Sequence, residues 1–217
     1  DSFTDQAELH KDMLNFFEEQ SIFKEGYNLI GAIDEAGRGP LAGPVVTACV
    51  LVRAGFAPFA GMELINDSKK LTAKKREEAF GVIKNNFSIS VGICDHITID
   101  RINILQASFL AMKKAIGALK QKPDFIIVDG KFPIPNISVK QKAIISGDRM
   151  VFTIAAASII AKVTRDRIMI EAHEKYPQYG FDRHKGYGTK LHIERLQKFG
   201  PCPIHRNSFA PLKRAFR

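Results

Sequence analysis

No apolar stretch in this chain reaches the roughly 20 consecutive residues that a membrane helix needs. The N-terminal DSFTDQAELHKDMLNFFEEQ is polar, carries acids and has no signal-peptide core. These absences predict a cytoplasmic protein without a membrane partner. Cysteine is scarce. Cys49, Cys94 and Cys202 form no CxxC pair, and the first two sit in apolar runs. An odd count without a framework excludes a disulfide scaffold and reads as reduced core thiols in a reducing compartment. The histidines show no HExxH or other zinc spacing. No fixed-period repeat and no low-complexity linker is present. With 217 residues, 45% of them hydrophobic, one domain over 1–217 is the default. Acids are in deficit, 23 against 32 Lys plus Arg, for a net charge of +9. That balance suits either solubility or a polyanionic partner.

What the chain does have is short apolar runs alternating with amphipathic stretches. Residues 5–24 read as a short amphipathic helix within an N-terminal extension over 1–27. Apolar runs at 28–34 and 45–52, partly β-branched and bounded by Gly or Pro, predict strands. SISVGIC at 88–94 alternates and predicts a third. Residues 72–85 read as a charged surface helix. Within 100–120, Ile102, Leu105, Phe109, Met112, Ile116 and Leu119 recur at three and four, which predicts a core-facing stripe. FIIVDG at 125–130 predicts a buried strand ending at Asp129. A further strand over 138–146 ends at Gly147-Asp148, and 152–175 reads as a long helix. The tail, 176–217, is a loop-rich segment with a short helix near 189–199. A helical crossover before the fourth strand fits a βαβ unit, so the class is α/β with a mixed sheet. Asp34 and Asp129 then fall at carboxyl ends of strands, where ligands bind in such sheets.

LIGAIDEAGRGPLAGPVV, residues 29–46, concentrates the chemistry. An apolar run ends in Asp34 and Glu35 and enters the turn Gly37-Arg38-Gly39-Pro40-Leu41-Ala42-Gly43-Pro44. Buried strand-end carboxylates want a proton, a cation or a metal. The glycines resemble a dinucleotide turn, but a strand begins at Val45 where a helix would have to open. No Gly-Lys-Ser/Thr follows either, so the nucleotide readings are excluded. The glycines instead let backbone amides approach a substrate closely. Taken singly, Asp129 and Asp148 are more often turn or cap residues than ligands. Four clustered strand-end acids repel one another unless hard cations sit between them. Carboxylate oxygens suit Mg²⁺ or Mn²⁺. Two such ions about 4 Å apart activate a water and stabilise a leaving oxygen. Asp166, one turn after Lys162, reads as an ion pair. Asp67-Ser68-Lys69-Lys70 reads as a helix cap with solvated lysines. His184-Lys185-Gly186-Tyr187-Gly188-Thr189 and His205-Arg206-Asn207-Ser208-Phe209 mix cations with aromatics in loops, which suits phosphate contact and stacking.

Seven segments together resemble ribonuclease HII, the type 2 ribonuclease H family. They are Ile33 to Pro44, Asn66-Asp67-Ser68-Lys69, Val128-Asp129-Gly130, Gly147-Asp148, AAASIIAKVTRDR over 155–167, His184-Lys185-Gly186-Tyr187, and His205-Arg206-x-Ser208-Phe209. The resemblance implies a ribonuclease H-like fold, a central five-stranded mixed sheet flanked by helices. It implies a monomeric endonuclease that cuts the RNA strand of RNA/DNA hybrids and single ribonucleotides embedded in duplex DNA. The products would carry 5′-phosphate and 3′-hydroxyl ends, and the roles would be ribonucleotide and RNA-primer removal. The family's acidic metal ligands fall on Asp34, Glu35, Asp129 and Asp148, with Mg²⁺ or Mn²⁺ as cofactor in a two-metal mechanism. Its ribose-reading element falls on Gly37, Arg38 and Gly39, and its junction-sensing tyrosine on Tyr187. Lys69 and Lys185 complete the implied substrate contacts. A 2′-hydroxyl is the group that separates RNA from DNA at a given site. The related type HIII enzymes carry an additional N-terminal domain. The roughly 27 residues before the first strand, together with Arg38, fit HII.

Two other classes stay in view. One is a non-catalytic hybrid-binding module, motivated by the positive charge. The other is a different phosphoryl-transfer enzyme on the same fold. The acid set speaks against the first, because acids facing phosphate without metal only repel it.

Overall fold

Five strands form, four from branched and small apolar residues punctuated by Gly and Pro and one, at the sheet's edge, from the polar KQKAI. These are β1 (Leu29–Ala36), β2 (Val45–Arg53), β3 (Ser88–Cys94), β4 (Phe125–Asp129) and β5 (Lys140–Ile144). In the computed structural model, which describes residues 14–215, they build one mixed sheet in the order β3-β2-β1-β4-β5. β1 pairs antiparallel with β2 and parallel with β4, and β5 adds in parallel beyond β4. Among the described residues the helices are α1 (Phe17–Lys24), α2 (Ala73–Asn86), α3 (His96–Ala118), α4 (Phe152–Lys175), α5 (Phe181–His184), α6 (Lys190–Phe199) and α7 (Leu212–Ala215). None is long and apolar enough to cross a membrane.

Period-two alternation gives the sheet two apolar faces. Ile30, Ala32, Ala48, Val50 and Ile127 meet α4 on one side, and Ile33, Cys49, Ile126 and Val128 meet α3 on the other. Each fully buried isoleucine contributes about 1.5–3 kcal/mol. α4 is buried on all sides from Phe152 to Ala161 because it lies between the sheet and α2. Val151 leaves its first turn without a side-chain cap. Glu19 of α1 supplies one from a distance, accepting from the Thr153 N–H at 3.1 Å and the Thr153 hydroxyl at 2.7 Å. Burial raises the Glu19 pKa above its ordinary value. All three cysteines are free, and burial pushes the Cys49 thiol up to about 12.

Three sequence expectations shift. The helix expected over 5–24 begins at Phe17. Asn15 instead bridges Val151 as extended backbone, and the expected stretch 5–13 lies outside the described residues. α3 begins earlier than expected, at His96, because Asp95 accepts the Thr98 N–H at 2.8 Å. Asn103, at φ 66°, then breaks its phase. The expected stripe keeps Met112 and Leu119 buried and Phe109, Ile116 and Ile102 packed on the core, while Leu105 drops out and Ala107, Ala111 and Ala115 join the buried face. Those small residues let α3 come so close that a Cβ on Gly92 of β3 would lie 2.0 Å from the Ala111 carbonyl. Finally, Thr72 caps α2, while Asp67 accepts the Lys69 N–H at 2.9 Å in a turn of its own.

Candidate active site

The parallel pairing of β1 with β4 runs to Ile33 opposite Val128, which sets the next residues, Asp34 and Asp129, side by side at the strands' carboxyl ends. Both belong to the face that packs on α4. A single turn, Gly147–Arg149, follows β5 and buries Asp148, whose N–H donates to Asp129 Oδ1 at 3.3 Å. The sheet's topology thus gathers acids from residues 34, 35, 129 and 148. Burial raises Asp34 well above the usual carboxylate range, and the charges of Glu35 and Asp129 add to it. The Glu35 N–H at 2.6 Å and the Ser158 hydroxyl on α4 oppose that rise. Burial also raises Glu35, offset in part by Arg38, and raises Asp129 with help from the Asp148 charge.

Basic groups answer part of this charge. Lys69 Nζ donates to Asp148 Oδ2 at 2.7 Å, and Arg38 Nη1 donates to Glu35 Oε1 at 3.2 Å. The Asp148 contact raises the Lys69 pKa. Lys162 donates to Asp166 at 2.7 Å, the ion pair expected from their spacing. Glu35 Oε2 remains buried without a partner. Among the described residues, no three acid, histidine or cysteine side chains form a ready coordination cluster. The donor set nonetheless fits a hard divalent cation. It offers carboxylate oxygens only, it holds mutually repelling charges, and it leaves one buried oxygen unsatisfied.

Lining one open cleft of about 260 Å³ with Asp34, Glu35 and Asp129 are Gly37, Arg38, Gly39 and Tyr187. Lys69, Ser158 and Lys162 line the same cleft. Tyr187 is 41% exposed, with Lys162 Nζ 5.8 Å and Arg165 Cζ 5.7 Å from its ring centroid. Lys185 is placed differently. Its amine turns back onto the Asp182 carbonyl of its own loop. The structure therefore brings Asp34, Glu35, Asp129, the Gly37–Gly39 loop, Lys69 and Tyr187 to one cleft, and leaves outside its lining both the Lys185 amine and Asp148, which is buried against Lys69 and Asp129.

Two groups of residues depart from the sequence reading: Arg206, His184 and His205, expected in loops that contact phosphate, are buried and turned inward, and Arg165 and His192 had no assigned part. Arg165 and Arg206 are both fully buried and hold backbone carbonyls of the glycine turn. A sequence signal existed for Arg165. It continues the buried run Ser158, Ala161, Met169 at helical spacing, so a cation stands in an apolar stripe. His184, His192 and His205 stack behind Tyr187, with rings of the first two 4.4 Å apart. His192 Nδ1 lies 2.9 Å from the Tyr187 carbonyl and so carries the proton there. Its Nε2 therefore accepts from His205 Nε2 at 3.0 Å, and His205 Nδ1 accepts the Cys202 N–H at 2.9 Å. Burial drives both His192 and His205 down to about 4, which keeps this relay neutral.

Comparison with known proteins agrees with the geometry. The family model for ribonuclease HII matches residues 30–212. The ribonuclease HII of Caldicellulosiruptor bescii is 54% identical over 197 residues, covering 90% of this chain and 93% of that protein. The crystal structure of ribonuclease H2 from Pyrococcus horikoshii superposes with a TM-score of 0.68 at 27% identity, covering 85% of this chain and 95% of that one. Ribonuclease HII in the PCNA complex from Archaeoglobus fulgidus gives a TM-score of 0.69 at 27% identity, covering 82% and 93%. A match along most of the sequence and the same sheet in space carry one conclusion: the chain belongs to the ribonuclease HII family, hydrolases that cleave RNA in RNA/DNA hybrids.

Proposed function

We propose that the chain cuts both RNA/DNA hybrids and duplex DNA carrying a single ribonucleotide, through Asp34, Glu35, Asp129 and Asp148 as ligands for Mg²⁺ or Mn²⁺. The observation that carries this reading is that one cleft is lined both by buried, mutually repelling acids and by the Gly37–Gly39 turn and Tyr187. When bound, two such ions supply an activated water and charge stabilisation for the leaving oxygen.

The chain's own residues supply the selection. Gly39 has no side chain to hold a sugar away, so the backbone of this turn reads the 2′-hydroxyl at contact distance. Arg38, half-exposed beside Glu35, binds phosphate next to the reacting group. Lys69 holds Asp148 and places a cation at the cleft's edge. Tyr187 stacks on the sugar or base at the junction between RNA and DNA. Lys185 contacts the flanking backbone from outside the cleft. Cleavage on the 5′ side of the ribonucleotide leaves 5′-phosphate and 3′-hydroxyl ends, which suits removal of ribonucleotides and RNA primers from DNA. The same proposal takes a monomer as the active unit.

The test is cleavage of a duplex with one embedded ribonucleotide, in Mg²⁺, in Mn²⁺ and with EDTA. Cutting at the ribonucleotide that EDTA abolishes is expected. Undiminished cutting in EDTA would remove the metal role, and tight binding without turnover would favour a binding module instead.

A further inference from the structure

Arg165 and Arg206 are among the largest fully buried side chains of the molecule, and among the described residues neither forms an ion pair with an acid. Burying a guanidinium is costly, and two close together cost more. Burial and the neighbouring Arg165 charge both oppose the charge on Arg206. Backbone carbonyls offset this, and they belong to two loops only. Arg206 donates to Gly37 O at 2.6 Å, Arg38 O at 3.0 Å, Gly43 O at 2.9 Å and Pro44 O at 3.1 Å. Arg165 donates to Pro44 O at 2.9 Å, Ala42 O at 3.1 Å and, across to the other loop, Lys185 O at 3.0 Å. Arg165 Cζ also lies 5.7 Å from the Tyr187 ring centroid. Beside it, the Leu41 N–H donates to Gly186 O at 2.8 Å. Gly37, at φ +97°, is shaped around the same group, since a Cβ there would lie 2.1 Å from Arg165 Nε.

We infer that Arg165, backed by Arg206, is a positioning residue that fixes the spacing of the glycine turn and the Tyr187 loop, so that ribose reading and junction reading act as one unit. The inference rests on the reading of Gly37–Gly39 and Tyr187 as substrate contacts. Arginine suits the task because its planar fork reaches several carbonyls in fixed directions, whereas a lysine amine reaches fewer and fixes no angle. An apolar residue would fill the space at lower desolvation cost but would leave the carbonyls of both loops unpaired.

The experiment compares the wild-type chain, Tyr187→Ala, Arg165→Lys and the double variant on two substrates, an embedded single ribonucleotide and a continuous hybrid. Amide hydrogen exchange is read on the same proteins. Arg165→Lys is expected to lower the preference for the embedded ribonucleotide by ~10–100-fold, the cost of a misplaced contact. The double variant is expected to lose no more than the worse single one. Exchange should quicken in 37–44 and 185–188 and stay unchanged in β1 and β4. A folded Arg165→Lys with wild-type preference overturns the inference, as do additive losses or exchange that quickens throughout the molecule. Tyr187→Ala with wild-type preference overturns the reading of Tyr187 itself, and the coupling with it. Where Arg165→Lys fails to fold, Gly186→Ala forces the same loops apart, because its Cβ would lie 2.6 Å from the Ala42 carbonyl. Unchanged preference in that variant overturns the inference equally.

Discussion

The two walls of the cleft are built by opposite devices. The acidic wall hangs on sheet register: Asp34 and Asp129 meet because β1 and β4 pair in parallel, and Asp148 follows in the turn after β5. Its charges are alike and buried, so it stores repulsion. The glycine wall has no regular structure of its own, and two buried cations hold it through carbonyl oxygens. One wall is positioned by strands and strained by charge. The other is positioned by side chains and has its carbonyls satisfied. Chemistry that binds cations gains from the first arrangement, and discrimination by shape gains from the second.

The largest effect should come from Asp34→Asn. Removing one of the repelling carboxylates should raise stability without metal, while cleavage of hybrids falls by on the order of 10²–10³-fold or more. Thermal melting with and without Mg²⁺ checks the same point, because a bound ion stabilises only the state that binds it. The wild-type Tm should rise on adding Mg²⁺ and that of the variant should not. An equal rise in both would remove Asp34 from the ligand set and break the contrast between the walls.

The glycine wall predicts a split between two neighbours. A Cβ on Gly37 would collide with Arg165 Nε at 2.1 Å and the Pro44 carbonyl at 2.6 Å, at φ +97°. Gly37→Ala should therefore cost stability, about 1–3 kcal/mol from the backbone alone. A Cβ on Gly39 would meet only Tyr187 Cε1 at 3.9 Å. Gly39→Ala should keep stability within about 0.5 kcal/mol while its kcat/KM on an embedded ribonucleotide falls ~100-fold. Denaturant melts and cleavage rates on the two variants decide it. Full activity in Gly39→Ala would remove the backbone contact from the proposal.

The acidic wall was legible in the sequence because its encoding is local. An apolar run that ends in an acid marks a strand end wherever it occurs, and FIIVDG and LIGAIDE both carry that mark. The glycine wall's support was not legible, because Arg165 and Arg206 reach loops more than a hundred residues away along the chain. A cation donating to backbone carbonyls leaves no partner residue type to search for. The core stripe of α3 was legible from Phe109 to Leu119, but its start at His96 and the break at Asn103 were not, because a single asparagine with positive φ leaves no mark in the apolar spacing.

Acid should separate the two halves of the molecule further. His192 and His205 sit near 4 in the folded chain against about 6.5 unfolded, so the unfolded state takes up protons first. The stability they contribute is complete above about pH 6.5 and is lost as pH falls toward 4, on the order of 3 kcal/mol for each. Asp34 and Asp129 run the other way. Their folded pKa values are raised, so protonation relieves the acidic wall as pH falls. Urea unfolding at pH 7 and pH 4.5 should show a larger acid loss in Asp34→Asn than in the wild-type chain, because that relief is reduced. A stability independent of pH in the variant would contradict the neutral histidine relay.

The smallest effect should fall two residues from one of the most consequential side chains. Arg167 follows Arg165 on α4 but points to solvent, where its Nε donates to Glu77 at 3.3 Å and its guanidinium lies over Phe80 at 4.4 Å. Its side chain is 50% exposed and that of Glu77 49%. Such a pair is screened by water and contributes about 1 kcal/mol or less. Arg167→Ala should accordingly lower stability by about that amount, leave cleavage of both substrates unchanged and lose its effect on stability at high salt. Two arginines of equal charge, one helix and nearly one position then differ only in what surrounds them. A loss of substrate preference in Arg167→Ala comparable to that in Arg165→Lys would mean that positive charge on this helix, rather than the carbonyl contacts, sets the glycine wall.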